Sequence, residues 1–185
     1  MAHKGQIIKD PNTGEWIEFV ATAKETNGYY TSFKISQKAG GSKPLMHLHS
    51  RQDETFQVLK GELTYIINNE KKKIGEDCVV TLPKGIPHAH FNAGNEDLLM
   101  IQTVYPALDF DLVLENFYGL ATEGKFPNGE PKFLQLMIWL QQMRSKTYLA
   151  KVPVIIQKCV SFILAPFGRM MGYKAVYKKF SGFDA

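Results

Sequence analysis

The chain has 185 residues, of which 44% are hydrophobic and 22% charged, and its formal net charge is +4. This length allows one principal core, or one compact domain with an appendage, and is short for two full domains. The composition excludes the charge excess of a disordered chain and the apolar excess of a membrane protein. Because no aromatic-interleaved basic stripe accompanies the surplus charge, we expect no nucleic-acid partner.

The N-terminal segment, residues 1–16, is polar and carries Pro11 and Gly14. It lacks the apolar core and small-residue cleavage site of a secretory signal, which predicts a cytoplasmic protein. The cysteines, Cys78 and Cys159, lie far apart and outside any Cys-x-x-Cys pattern. They predict reduced thiols rather than a disulfide framework or a zinc knuckle.

Residues 16–105 favour β-strands, because short runs rich in Val, Ile, Thr, Tyr and Phe are separated by Gly, Pro and Asn turn signals. Asn27-Gly28 predicts a tight turn before an alternating strand that contains Phe33 and Ile35. Further strands are predicted at residues 61–67, 78–82 and 98–104. This pattern indicates a sandwich or a barrel.

The hydrophobic period changes after Pro106. Apolar residues spaced by three and four predict an amphipathic helix over residues 110–121, with Asp109 as its cap. Two further helices are predicted at residues 133–144 and 153–164, the second with a proline at its start. The second part of the chain is therefore predicted to be helical.

We accordingly divide the chain into a β domain, residues 16–105, and a helical extension, residues 106–185, packed on the β domain or across a dimer. All the excess positive charge lies in the extension. An uncharged apolar run, residues 159–168, is too short to span a bilayer of about 30 Å, so no transmembrane segment is expected. Its role stays open between burying an apolar stripe and acting as a lid or interfacial anchor, which would give peripheral membrane contact.

Four of the five histidines lie in two pairs, His47/His49 and His88/His90. Because residues i and i+2 of a strand project from the same face, each pair can point two imidazoles into one barrel interior. Glu54 follows the first pair after a short turn and can bring its carboxylate to the same point. Three imidazoles and a carboxylate suit a divalent ion. Without a cation, these buried polar groups would lack favourable partners.

These residues carry a resemblance to a known family, the cupins. The first cupin motif, G-x5-H-x-H-x4-E-x6-G, is matched at every specified offset by Gly41, His47, His49, Glu54 and Gly61. The end of the second motif, P-x-G-x2-H-x3-N, is matched by Pro83, Gly85, His88 and Asn92. One departure is Asp77, which stands where the family pattern has glycine and predicts an altered turn. The chain is thus similar to a single-domain cupin over residues 33–104.

The resemblance implies a mainly β fold, a double-stranded β-helix or jelly-roll barrel, followed by a C-terminal helical extension. It implies a metal ion held by His47, His49, Glu54 and His88, and iron, manganese, zinc, nickel and copper all stay open. Phe56, His90 and Phe91 are predicted to shape a substrate pocket, with His90 lining it rather than binding the ion. No catalytic residue is predicted.

The fold class does not select a function, because cupins include both enzymes and binding modules. One hypothesis is a metal-dependent enzyme acting on a small molecule, an oxidoreductase such as a dioxygenase, or an isomerase. The alternative is a noncatalytic ligand-binding or sensing module. The resemblance and the exposed edge strands also predict a homodimer.

Overall fold

The computed structural model describes residues 1–40, 46–126 and 130–182, so the motif glycine Gly41 lies outside the described residues. The described strands are β1 (Ile7–Lys9), β2 (Trp16–Ala21), β3 (Thr31–Gln37), β4 (His47–His49), β5 (Asp53–Lys60), β6 (Leu63–Ile67), β7 (Glu70–Ile74), β8 (Val79–Leu82), β9 (His88–Phe91), β10 (Leu98–Tyr105) and β11 (Thr147–Leu149). The described helices are α1 (Phe110–Thr122), α2 (Phe133–Gln142), α3 (Val154–Met170) and α4 (Lys178–Ser181).

The strands form two antiparallel sheets. One sheet has the order β1-β2-β3-β10-β5-β8 and the other β11-β4-β9-β6-β7. The two sheets share one core, because a single cluster of buried side chains draws on both of them, including Phe33, Phe56, Met100, Leu63 and Tyr65. The expected mainly β cupin fold with C-terminal helices is confirmed.

Strand alternation decides which side chains enter this core. In β5, Glu54, Phe56 and Val58 are buried while Gln57 is exposed, as the period of two requires. Burying a side chain such as Phe56 stabilises the fold by roughly 1.5–3 kcal/mol relative to leaving it exposed. The same alternation that builds the core therefore carries the Glu54 carboxylate into the interior.

The turn that contains Asp77 keeps the conformation that glycine favours. Asp77 has a φ of 61°, in the left-handed region that aspartate tolerates better than most residues. The departure from the motif therefore changes the residue at this position but keeps a left-handed backbone conformation. Gly61, which has a φ of 85°, is more constrained, because a Cβ there would lie 2.9 Å from the carbonyl oxygen of Asp97.

The extension contributes a strand that the sequence does not predict. β11 pairs with β4 in antiparallel register, with Thr147 opposite His49 and Leu149 opposite His47. Gln157 of α3 holds this strand from the other side: its Oε1 accepts from the Leu149 N–H, and its Nε2 donates to the carbonyl oxygens of Leu149 and Val152. The extension therefore reaches the strand that carries the first histidine pair.

Helix α1 starts as predicted, and Asp109 occupies its N-cap position, but the side chain of Asp109 makes no capping hydrogen bond to the helix. Its carboxylate instead accepts hydrogen bonds of 2.6 Å from the backbone N–H groups of Arg144 and Ser145, just after α2. Asp109 therefore ties the start of α1 to the end of α2, a long-range role that no local pattern shows.

Helix α3 extends beyond the predicted end at residue 164 and continues past Pro166 to Met170. The face that packs on the protein carries small and polar residues: Gln157, Ser161, Ala165 and Gly168. Most of the apolar stripe predicted for this helix is exposed, although Val160 and Leu164 are half-buried within the chain, and burial of the stripe across a dimer stays a prediction. Among the described residues, no helix is both long and apolar enough to cross a membrane.

Candidate metal centre

Four predicted ligands meet between the two sheets. His47 and His49 lie on β4, Glu54 on β5 and His88 on β9, and one ligand atom from each lies within 4.8 Å of the other three. His47 and His88 are direct partners in the β4–β9 ladder. His49, Glu54 and His88 are buried and His47 is half-buried. The convergence inferred from the spacing of these residues is therefore present in the structure.

Glu54 is the centre of a hydrogen-bond network. Its Oε1 lies 3.3 Å from Nε2 of His49 and accepts a 2.7 Å hydrogen bond from Nε2 of Gln102, while its Oε2 lies 3.1 Å from Nε2 of His88. Burial raises the pKa of Glu54, but the charge of His49 and the hydrogen bonds from His49 and His88 outweigh burial and hold this pKa well below its usual value. The carboxylate is therefore an anion placed among imidazoles.

The orientation of His88 bears on whether the cluster fits a cation. Its Nδ1 lies 2.8 Å from the backbone oxygen of Ile86, and a carbonyl only accepts, so Nδ1 carries the proton. In a neutral ring, Nε2 then presents a lone pair towards Oε2 of Glu54. Two acceptors face each other at this point unless the ring is protonated or a cation lies beside them. A metal ion between them resolves this conflict, so the donor set fits a divalent ion.

The extension also contacts the cluster. The hydroxyl of Thr147, on β11, lies 3.3 Å from Nδ1 of His49, which leaves Nε2 of that ring turned towards Glu54. The ring of Phe110, the first residue of α1, lies 5.9 Å from the His49 ring, centroid to centroid. Residues outside the β domain therefore help to fix the orientation of His49.

His90 lies beside the cluster without belonging to it. Its Nδ1 is buried and has no hydrogen-bond partner among the described residues. Burial lowers the pKa of His90 to about 4 and that of His47 to about 3, against the nearby charge of Glu54, which raises both. Both rings are therefore neutral near pH 7.

The other two predicted pocket residues occupy different faces. Phe56 is fully buried, and its ring centroid lies 4.5 Å from that of His90. Phe91 follows His90 on β9 and so projects from the opposite face of the strand, where Nζ of Lys71 lies 5.8 Å from its ring centroid. Phe56 and His90 thus lie on the cluster side of the sheets and Phe91 does not, and a pocket role for any of them stays a prediction.

Sequence reasoning missed three groups that orient the ligands: the Gln102 amide, the Ile86 carbonyl and the Thr147 hydroxyl. Gln102 had a usable signal, since it is a polar residue in the apolar alternation of Met100 and Val104. The Ile86 carbonyl had no such signal, because every residue has a backbone carbonyl and residue type does not show which one accepts a hydrogen bond. Thr147 lies 98 residues from His49 along the chain, so their contact depends on the fold alone.

The sequence of residues 34–104 matches the family described as the cupin domain. A curated relative, a probable oxidoreductase from Hypocrea virens named virH, is 27% identical over 153 residues, covering 77% of this chain and 70% of the relative. The oxidoreductase iacF of Pestalotiopsis fici is 28% identical over 116 residues, covering 58% of this chain and 57% of the relative. The chain thus spans little more than half the length of some curated relatives that it matches.

Among solved structures, a predicted oxalate decarboxylase from Thermotoga maritima is 17% identical, with a TM-score of 0.49, and the match covers 56% of this chain and 92% of that one. The match to virH extends well beyond the family match of residues 34–104. The two motifs, the two antiparallel sheets and the family match together show a cupin domain at residues 34–104 of this chain.

Proposed function

We propose that this protein is a metal-dependent cupin enzyme, an oxidoreductase that acts on a small molecule with an ion held by His47, His49, Glu54 and His88. The observation that carries the proposal is the convergence of these four side chains, with ligand atoms within 4.8 Å of one another in the interior of the fold. A mixed set of imidazoles and one carboxylate suits iron, manganese, zinc, nickel or copper.

The surrounding residues preorganise this set. Gln102 holds the Glu54 carboxylate, and the Ile86 carbonyl fixes the ring of His88 with Nε2 turned inward. Partners of this kind set ligand orientation and basicity. A divalent ion bound there supplies Lewis-acid or redox chemistry to a small molecule that reaches it.

We infer that a small molecule approaches the cluster from the side of His47 and His90. These two histidines are half-buried, whereas His49 and His88 are buried. His90 offers the unpartnered Nδ1 to a bound molecule, because a buried polar atom requires a hydrogen-bond partner. As a neutral ring it can donate or accept, according to the tautomer. Phe56, packed beside it, supplies an apolar wall.

The two fungal relatives named as oxidoreductases support redox chemistry rather than another cupin activity. The longer of these alignments covers 77% of this chain and therefore includes sequence outside the cupin domain. On this basis we propose that the protein oxidises a small organic substrate. The more specific proposal is that it is a dioxygenase.

The test is turnover by the metal-loaded full chain. Protein loaded separately with Fe(II), Mn(II), Cu(II), Ni(II) or Zn(II) is mixed with a panel of phenolic, enol and hydroxy-acid substrates, and dioxygen uptake and products are followed. We expect substrate-dependent oxidation with at least one redox-active ion, and its loss in Glu54→Gln. Product formation without an oxidant would instead indicate an isomerase. Saturable substrate binding without turnover by any form would indicate the noncatalytic module.

A further inference from the structure

Helix α3 turns most of its large apolar side chains away from the protein, while Val160 and Leu164 are half-buried against the cluster that contains Met137. Seven residues of the helix and its C-terminal end are 50–84% exposed and form what we call the interfacial face: Ile155, Ile156, Phe162, Ile163, Phe167, Met170 and Met171. The buried positions of the same helix are Gln157, Ser161, Ala165 and Gly168. A helix that only covers a core has the opposite distribution.

Specific contacts hold α3 in this orientation. Gln157 makes hydrogen bonds of 3.0, 2.9 and 2.7 Å to backbone groups of Leu149 and Val152. Gly168 lies against α2 so closely that a Cβ there would be 3.1 Å from Cδ1 of Ile138. Rotating the helix to bury its apolar side would break the hydrogen bonds and lose the close approach. The exposure of the interfacial face is therefore built into the packing of the helix.

The charge around this face is mostly positive. Residues 131–182 contain nine lysines and arginines and neither aspartate nor glutamate. Six of these basic residues are exposed on α3 or on the segments that follow and precede it: Lys151, Lys158, Arg169, Lys174, Lys178 and Lys179. Of these, Lys179 is paired with Glu123 of the segment after α1. An apolar helix face bordered by cations is complementary to a surface that is apolar inside and anionic outside.

We propose that α3 docks this protein on an anionic membrane surface, with the helix lying in the plane of the interface. Its 17 residues give a length of about 25 Å, so the interfacial face can enter the boundary between headgroups and acyl chains along the whole helix. The flanking cations then contact anionic headgroups. A second copy of the chain fits less well, because it would bring two predominantly basic surfaces together. The inference stands independently of the metal centre.

The experiment is vesicle flotation of the full chain with phosphatidylcholine vesicles and with vesicles that also contain phosphatidylserine. We expect binding to the second kind, weakened by salt. The double variant Phe162→Asn/Phe167→Asn is expected to lower the partition coefficient more than about tenfold, because two exposed aromatic rings no longer enter the bilayer. The charge variant Lys151→Glu/Lys158→Glu is expected to lower it selectively for anionic vesicles.

The matched controls are Val79→Asn, an exposed apolar residue on β8, and Lys84→Glu, an exposed lysine of the β domain. Both are expected to bind like the unaltered chain. Light scattering gives the oligomeric state of each variant, and circular dichroism its folding. Absence of binding to anionic vesicles by the unaltered chain overturns the proposal. So does a dimer that the Phe162/Phe167 variant dissociates while vesicle binding is unchanged.

Discussion

The side-chain amide of Gln102 donates a 2.7 Å hydrogen bond to Oε1 of Glu54 in the interior of the cupin fold. Both residues are buried, and the bond joins neighbouring strands of the six-stranded sheet. An amide donor to a ligating carboxylate orients it and limits its rotation. Replacing this donor should therefore weaken metal binding without removing a ligand.

For Gln102→Leu we expect the metal affinity to fall roughly 10- to 100-fold, the usual effect of losing a group that orients a ligand. Competition with a chromophoric chelator measures the affinity. Thr103→Val is the matched control, because Thr103 is the next residue on β10 and its hydroxyl bonds to Ser32 instead. Equal affinity of Gln102→Leu and the unaltered chain would show that Gln102 does not support the site.

Gln157→Ala should destabilise the fold, because it leaves backbone groups of Leu149 and Val152 without their partner. The expected loss is roughly 1–3 kcal/mol of unfolding free energy, the range for a buried group left unsatisfied. Urea unfolding measures it. Gln57→Ala, at an exposed position of β5, should change stability by less than about 0.5 kcal/mol. Similar losses in both variants would mean that Gln157 does not fasten β11.

Gly61→Ala and Gly85→Ala form a matched pair. Both glycines have positive φ, 85° and 76°, but a Cβ at Gly61 would lie 2.9 Å from a backbone oxygen, whereas at Gly85 it would meet no atom within 4 Å. We expect about 1–2 kcal/mol of destabilisation at Gly85, the cost of the left-handed backbone. At Gly61 the crowding adds to this cost. Equal losses at the two positions would contradict the close approach to Asp97.

The half-buried carboxyl of Glu15 predicts a pH dependence of stability. It accepts hydrogen bonds from the Tyr118 hydroxyl and from Nε2 of Gln37, and burial raises its pKa above the ordinary value of 4.5. The folded state therefore holds the proton more tightly than the unfolded state. This contribution to stability is fully present below pH 4.5 and is lost as the pH rises through the raised pKa.

Thermal unfolding of the unaltered chain and of Glu15→Gln, followed from acidic to neutral pH, tests this sign. As the pH rises, the melting temperature of Glu15→Gln should increase relative to that of the unaltered chain, because the amide has no proton to lose. A difference that is constant with pH, or that moves the other way, would show that the carboxyl is not held in its protonated form by folding.

Two simple regularities predict that both histidine pairs and Glu54 converge, and the resemblance to the cupins selects His88 rather than His90 as the fourth ligand. The period of two in β4 and β9 places paired histidines on one face, and alternation in β5 places Glu54 on the inward face with Phe56. These are local rules that need no knowledge of distant segments. The convergence of the cluster then follows once both sheets enclose one core.

Other parts of the arrangement depend on long-range pairing and lie beyond local rules. β11 has only three residues, too few for a periodic signal, and its place beside β4 follows from the tertiary fold. Asp109 looks like a helix cap by position, yet its carboxylate binds backbone groups after α2. The sequence leaves open whether the apolar face of α3 is buried, because periodicity shows which residues share a face and not which face turns inward.

The most direct test of the central claim is the metal content of full chain purified without a metal-affinity column, beside His47→Ala, His88→Ala and His90→Ala. We predict about one divalent ion per folded chain for the unaltered protein and for His90→Ala, and loss of the ion from the other two variants. Folding of each variant is checked by circular dichroism. A chain that contains no metal and binds none on addition of divalent ions would contradict the account, as would equal loss of the ion from His90→Ala.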